Sequence, residues 1–155
     1  MACDARHGDC FPHYRQPLTV TGVEGNSSTQ ARGQPMRIFY LEDNPLIAMH
    51  VEQLVEDGGH VFAGTASSFE ELRERFDTLV MDCALVDIDL ADGHTGPQAV
   101  VWLKERGVPS IFVTGQSQVA EEYRDVAVGV VPKPISESLL SEKLRLLASV
   151  VNNSD

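Results

Sequence analysis

Short apolar runs alternate with amphipathic stretches along the chain from Met36 onward. Continuous runs of this kind are typical of strands that helices cover on both faces of a parallel sheet, and five are present: RIFYLE, HVFAGTA, CALVDI, SIFVT and AVGVV. Each is followed by residues that suit a helix. The pattern predicts five strand–helix units, and therefore a doubly wound α/β fold that binds ligands at the carboxyl ends of its strands.

Capping signals and apolar spacing set the expected helix boundaries. Asn44-Pro45 is a helix-start signal and Gly58-Gly59 a stop signal. Ser67 or Ser68 is expected to cap the second helix. A short polar helix is predicted around residues 119–125. In the first helix an apolar stripe recurs at helical spacing through Leu46, Ile47, Leu54 and Val55, with Val51 close to it. The last helix is expected to face inward through Leu139, Leu140, Leu144, Leu147 and Val150.

The chain divides by composition into three parts. Residues 1–35 are rich in Gly, Pro, Ser and Thr, as in TGVEGNSSTQARGQP, and have little apolar periodicity. Such a segment buries too little surface to offset its ordering entropy, so we expect it to be disordered. Residues 36–151 form the predicted domain and residues 152–155 a short tail. Because the pattern begins at Met36, one hypothesis is that the native start codon lies there.

Charge and hydropathy narrow the class of protein. The net charge of −11 opposes an electrostatic grip on nucleic acid or on an anionic membrane surface. The apolar runs are much shorter than the roughly 18 residues of a spanning helix. The three cysteines are too few and too scattered for a disulfide framework. We therefore expect a cytoplasmic protein without a nucleic-acid or membrane partner.

Polar residues collect where the predicted strands end. Because the carboxyl ends of parallel strands meet at one edge of the sheet, six residues are expected there: Glu42, Asp43, Asp87, Asp89, Thr114 and Lys133. Crowded carboxylates repel one another and favour a hard cation such as Mg²⁺. A carboxylate, a divalent cation, a lysine and a hydroxyl are the groups needed to form and hold an aspartyl phosphate.

Each position also has a structural explanation when taken alone. Glu42-Asp43 could stabilise a helix N-terminus. Thr114 could satisfy a backbone group at the end of its strand, and Lys133 could be an ordinary loop lysine. Asp87 is harder to explain in this way, because an acid that closes the apolar run ALV lies where desolvation is costly. These four positions, found together at one sheet edge, favour a functional site over a set of coincidences.

These motifs resemble those of the receiver domains of two-component response regulators. The matching segments are LEDN, ALVDIDLADG, IFVTG and PKP, in the family's order. The resemblance implies a flavodoxin-like receiver fold with strand order 2-1-3-4-5, and Asp87 as the phosphoacceptor. Its other implied roles are Mg²⁺ binding by Glu42, Asp43, Asp87 and the backbone carbonyl of Asp89, and phosphoryl contacts from Thr114 and Lys133. The implied donor is a histidine kinase or a histidine phosphotransfer protein.

One position departs from the family pattern. The aromatic switch residue three places before the lysine is replaced by Val130. PSIFVTGQ instead resembles the fourth-strand signature of the FAT GUY receivers, although its tyrosine position falls on Gln116. We therefore predict that any switch lies in the loop and short helix of residues 115–125.

The expected function is that of a single-domain regulator, monomeric or weakly dimeric, that binds an unknown downstream protein or acts as a phosphate sink. It would be an enzyme only in catalysing its own phosphorylation and hydrolysis. A pseudo-receiver that binds partners without phosphorylation is one alternative. A haloacid-dehalogenase-type phosphatase is another, since DIDLA is superficially similar to its motif. Those enzymes carry the acid pair on their first strand, whereas two strand–helix units precede Asp87 here.

Overall fold

The computed structural model describes residues 34–154. Their five strands form one parallel sheet in the order β2-β1-β3-β4-β5. The expected flavodoxin-like receiver fold and its strand order are confirmed. The strands are β1 (Arg37–Leu41), β2 (Val61–Ala66), β3 (Cys83–Val86), β4 (Ser110–Thr114) and β5 (Gly129–Pro132). The helices are α1 (Pro45–Asp57), α2 (Phe69–Arg75), α3 (Gly96–Glu105), α4 (Ser117–Glu122) and α5 (Glu137–Asn153), with a 3-10 turn at Phe76–Thr78.

Alternation along the strands divides the core into two layers. On β1, Phe39 and Leu41 pack with buried residues of α2, α3 and α4. Ile38 and Tyr40 face the opposite layer, which α1 and α5 complete. Because successive side chains of a strand point to opposite faces, each strand supplies both layers, which explains its continuous apolar sequence.

Helix α1 begins where its cap predicts. The Asn44 side chain accepts hydrogen bonds from the Leu46 and Ile47 N–H groups, at 3.0 and 3.5 Å. The expected inner stripe is wrong at Leu46, which is 75% exposed. The buried residues are Ala48, Val51 and Val55, because the core-facing positions of a helix recur every three or four residues.

Other boundaries differ from the expected ones by a few residues. Strand β3 ends at Val86, so Asp87 and Ile88 follow the strand. Helix α4 starts at Ser117, earlier than expected, and α5 extends to Asn153, two residues past the expected end of the domain. The predicted disorder of residues 1–35 and the hypothesis of a start at Met36 concern a segment that lies, up to residue 33, outside the described residues.

Among residues 34–154, no helix combines the length and apolar character needed to cross a membrane.

Candidate functional site

Backbone hydrogen bonds join the strand ends that carry the predicted site. The Asp87 N–H donates to the Leu41 carbonyl oxygen at 3.0 Å, which ties the end of β3 to the end of β1. The Lys133 N–H donates to the Thr114 carbonyl oxygen, also at 3.0 Å, which ties the residue after β5 to the end of β4. The sheet thus brings the carboxylates, the hydroxyl and the lysine to one edge.

Three carboxylates form a cluster at this edge. Glu42, Asp43 and Asp87 each offer a carboxylate oxygen, and these atoms lie within 4.8 Å of one another. Glu42 and Asp87 are buried, at 4% and 7% exposure, whereas Asp43 faces solvent. Like charges at this separation repel, so the arrangement requires compensating positive charge.

Lys133 supplies part of that compensation. Its Nζ donates to Glu42 Oε2 at 2.7 Å and to Asp87 Oδ2 at 2.9 Å. The ammonium therefore bridges the two buried carboxylates. Counting Asp43 as well, three negative charges and one positive charge leave the ionised cluster with a net charge of about −2.

Glu42 is held by two further donors. Tyr40 Oη donates to Glu42 Oε2 at 2.9 Å, and the Asn44 N–H donates to Glu42 Oε1 at 3.1 Å. Tyr40 lies two residues before Glu42, so strand periodicity places both side chains on the same face. Both oxygens of this buried acid accept hydrogen bonds from the protein.

Asp87 is oriented by its own loop and by a close packing contact. Its Oδ1 accepts a hydrogen bond from the Ile88 N–H at 2.7 Å. Gly96, the first residue of α3, lies directly against this backbone: a Cβ there would be 2.6 Å from Ile88 Cα and 2.8 Å from the Asp87 carbonyl carbon, and closer still to its oxygen. Only glycine fits at this contact.

Thr114 and Asp89 occupy different surroundings. Thr114 is buried, at 1% exposure, and its Oγ1 accepts from the Gln116 N–H at 3.0 Å, which leaves its own proton to donate elsewhere. Asp89 is exposed, and its carboxylate is bonded to His94 Nδ1 at 2.7 Å and to Gln116 Nε2. The Asp89 carboxylate therefore lies outside the three-carboxylate cluster, and metal binding by its backbone carbonyl stays a prediction.

The environment shifts the protonation equilibria of the cluster. Desolvation raises the pKa of Asp43, and a hydrogen bond and the charge of Glu42 raise it further. Burial lowers the pKa of Lys133, but its hydrogen bonds to Glu42 and Asp87 and their charges outweigh this and raise it overall. Burial and then the charge of Glu42 raise the pKa of Tyr40, so its phenol stays neutral.

The donor set fits Mg²⁺. The cluster offers hard oxygen ligands from one exposed and two buried carboxylates, and a divalent cation would balance its net charge. Asp43 and Asp87 are the better placed to hold such an ion. Glu42 already accepts three hydrogen bonds, so its contact with a cation would compete with them.

Sequence reasoning missed three residues that shape the site: Tyr40, His94 and Gly96. Tyr40 could have been found from its i, i+2 relation to Glu42 on a buried strand. The bond from His94 to Asp89 and the contact of Gly96 with Asp87 depend on how the loop after β3 folds, which the sequence pattern does not reveal.

Val130 lies beside Phe112 in the β4–β5 pairing and is partly buried. The aromatic side chain that packs against Phe112 is Tyr123, just after α4, with ring centroids 6.3 Å apart in an edge-to-face arrangement. The location of a switch within residues 115–125 stays a prediction.

Comparison with known proteins identifies the family. A family model described as the response regulator receiver domain matches residues 38–145. The chain belongs to this family. The receiver is 43% identical over 79 residues to the phyllosphere-induced regulator PhyR of Methylorubrum extorquens, an alignment that covers 50% of this chain and 30% of that protein. The chain thus spans about a third of that relative.

Solved structures agree with this assignment. The receiver superposes on the solution structure of the PhyR receiver domain of Erythrobacter litoralis with a TM-score of 0.66 and 32% identity, covering 73% of this chain and 89% of that one. It also superposes on a mutant form of the anti-anti-sigma factor PhyR of Bartonella quintana, with a TM-score of 0.70 and 28% identity, covering 78% of this chain and 51% of that one.

Proposed function

We propose that this receiver accepts a phosphoryl group on Asp87 from a histidine kinase or a histidine phosphotransfer protein, in a reaction that depends on Mg²⁺. The observation that carries the proposal is the position of Lys133, whose Nζ is 2.9 Å from Asp87 Oδ2 beside two further carboxylates. A lysine that served only to form a buried ion pair would need a single acid as its partner. Lys133 instead bridges two buried acids, and a third acid lies beside them.

Each remaining residue has a role in this proposal. Asp43 and Asp87 would hold Mg²⁺, with the Asp89 backbone carbonyl as a further ligand, and Glu42 would contact either the ion or Lys133. The bound ion would neutralise charge on the phosphoryl oxygens. Thr114 would donate its hydroxyl proton, and Lys133 the ammonium proton that is not bonded to Glu42 or Asp87, to the same oxygens.

The chemistry is a transfer between two side chains. An Asp87 carboxylate oxygen attacks the phosphorus of the donor's phosphohistidine, and the P–N bond breaks. The electron pair leaves with the imidazole, which takes up a proton, and an acyl phosphate forms on Asp87. In hydrolysis, water attacks phosphorus and the P–O bond to Asp87 breaks, which releases inorganic phosphate. The protein is therefore a phosphoacceptor that assists its own reactions rather than an enzyme acting on a separate substrate.

Similarity to PhyR suggests the kind of pathway. One structural relative, PhyR of Bartonella quintana, is named an anti-anti-sigma factor. We propose that this receiver acts in the cytoplasm in a comparable circuit, either through a protein partner that recognises the phosphorylated surface or as a phosphate sink for the same donor. The excess of negative charge supports a protein partner over nucleic acid.

The decisive experiment is labelling from acetyl phosphate followed by mass spectrometry of the intact protein and its peptides. The wild type should gain one phosphoryl group on Asp87 with Mg²⁺ and none in EDTA, and Asp87→Asn should gain none. Asp82→Asn is the matched control, because Asp82 lies at the opposite end of β3, where it accepts from the Arg37 N–H at 2.7 Å. Absence of labelling from acetyl phosphate and from a panel of histidine kinases would contradict the proposal and favour a pseudo-receiver.

A second assay distinguishes a receiver from the phosphatase alternative. Multiple turnover of p-nitrophenyl phosphate would support a haloacid-dehalogenase-type enzyme, whereas a receiver should be labelled once and release phosphate only at the rate of its own hydrolysis.

A further inference from the structure

Tyr40 has the placement of a residue that serves the site rather than the core alone. Its side chain is fully buried in the layer between the sheet, α1 and α5, among apolar neighbours. A buried hydroxyl is unfavourable unless it is hydrogen-bonded. The partner of this hydroxyl is Glu42, whose side chain is 1% exposed.

The geometry links Tyr40 to Lys133 through one oxygen atom. Glu42 Oε2 accepts from Tyr40 Oη at 2.9 Å and from Lys133 Nζ at 2.7 Å. The second oxygen, Oε1, accepts from the Asn44 backbone at 3.1 Å. Donors on both oxygens fix the plane of the carboxylate, and that plane sets the direction in which Lys133 can be bound.

The position of Lys133 in turn matters for Asp87. A lysine ammonium is a compact charge on a flexible stem, and it is held in place only by its partners. Here Nζ is shared between Glu42 and Asp87, so two of its three protons are used and one remains for an incoming oxygen. Glu42 thus acts as the fixed end of a bridge whose other end is the proposed phosphoacceptor.

We propose that Tyr40 is a positioning residue for Lys133: its buried hydroxyl holds the Glu42 carboxylate in the orientation that keeps the lysine ammonium over Asp87. This inference rests on the proposed function for its effect on phosphorylation, but the link between the three side chains can be measured without phosphorylation. A carboxylate can only accept, so the Tyr40 hydroxyl is the donor in this contact.

The first test is made in EDTA, without phosphorylation. Lys104, Lys133 and Lys143 are the lysines of the chain, so side-chain ammonium signals in a ¹H–¹⁵N spectrum can be assigned with a Lys133→Arg variant. In the wild type, the Lys133 signal should be protected from exchange. Tyr40→Phe should shift this signal and speed its exchange, whereas the Lys104 signal, whose ammonium is bonded to the Asp125 carbonyl oxygen, should stay unchanged.

A double-mutant cycle in urea shows whether Tyr40 acts through Glu42. Tyr40→Phe should lower the unfolding midpoint of the wild type, because the variant loses a hydrogen bond to a charged group. In a Glu42→Ala background the same change should leave the midpoint unchanged or raise it, because the hydroxyl there has lost its acceptor. Additive effects of the two substitutions would overturn the link.

The functional test is the rate of labelling from acetyl phosphate at saturating Mg²⁺. Tyr40→Phe should slow it by about tenfold, as expected for one hydrogen bond to a charged group. Ser110→Ala, which removes a buried hydroxyl at the opposite end of β4, should stay within about twofold. Loss of stability in Tyr40→Phe with an unchanged labelling rate and Lys133 signal would reduce Tyr40 to a core residue. A wild type that accepts no phosphoryl group would refute the proposed function, whereas the Lys133 signal would still report on Tyr40.

Discussion

Replacing Gly96 with alanine should damage both the stability of the fold and the geometry of Asp87. Gly96 begins α3, and its N–H donates to the Ile88 carbonyl oxygen at 3.0 Å, so it is bonded to the loop it touches. An added Cβ would lie 2.6 Å from Ile88 Cα and 2.8 Å from the Asp87 carbonyl carbon. These neighbours are backbone atoms, so no side-chain rotation can relieve the clash.

The size of the effect follows from these distances. Carbon atoms in contact lie about 3.5–4.0 Å apart, so α3 and the loop after β3 must separate by about 1 Å. Overpacking of a close-packed interior costs about 1–3 kcal/mol, and backbone on both sides places this site at the upper end. The gain from alanine in a helix is only about 1 kcal/mol. The net loss should be about 2 kcal/mol, which would lower the urea midpoint by about 1 M.

Gly96→Ala should slow phosphorylation of Asp87 by more than its loss of folding stability alone would explain. A displacement of about 1 Å at a reacting group can reduce a rate by about 100-fold. We therefore expect Gly96→Ala, measured where it is fully folded, to label from acetyl phosphate at about one hundredth of the wild-type rate.

The matched control is Gly115→Ala. Gly115 follows Thr114 at the same sheet edge, but a Cβ there would meet nothing within 4 Å. Its urea midpoint should equal that of the wild type, and its labelling rate should change by less than threefold or so. If Gly96→Ala unfolded and reacted like Gly115→Ala, then the close contact between α3 and Asp87 would be absent in solution and the packing argument would be wrong.

Three further predictions concern the surroundings of the site. Asp92→Ala should destabilise the fold by about 1 kcal/mol in urea unfolding, because the Asp92 carboxylate accepts from the first two N–H groups of α2, and Asp77→Ala should not. The pKa of Glu71 is lowered, chiefly by the hydrogen bond from the Ser67 N–H. The stability that Glu71→Gln loses should therefore be full above the unfolded pKa of about 4.3, and it should vanish as the pH falls through the lower folded pKa. A stability difference between wild type and variant that grows on acidification would contradict this. Beryllofluoride with Mg²⁺ should change hydrogen exchange in residues 115–125, and unchanged protection there would exclude the predicted switch segment.

Much of the site could be predicted because its residues occupy strand ends. The runs before Glu42, Asp87 and Thr114 are apolar and short, so each polar residue marks the place where a buried strand ends. Parallel strands then bring those ends to one edge, whatever the details of packing. The close approach of Glu42, Asp43 and Asp87 agrees with this reasoning, although their roles in phosphorylation stay proposals.

The predictions were wrong where the apolar pattern fits two orientations of a helix about equally well. Leu46 is apolar and adjacent to a helix start, yet the phase of α1 is set by Ala48, Val51 and Val55 packing on the sheet, and Leu46 is left exposed. Periodicity alone does not fix that phase, because Ile47 and Leu54 lie at the margin of the same stripe. Helix α4 starts at Ser117 rather than near residue 119, because a short polar helix has few apolar residues to mark its ends.

The sequence by itself determined the architecture, the edge of the sheet that carries the chemistry and the residue types present there. It could do so because strand and helix periodicities, together with the connection rules of parallel sheets, act over short distances along the chain. Only the tertiary structure decided which of those side chains form hydrogen bonds or ion pairs with one another. The bridge from Tyr40 through Glu42 to Lys133 and Asp87 joins residues up to 91 positions apart, and the contact of Gly96 with Asp87 is set by the path of a loop. Hydrogen bonds and van der Waals contacts depend on atomic positions within tenths of an ångström, and packing of the whole domain fixes those positions.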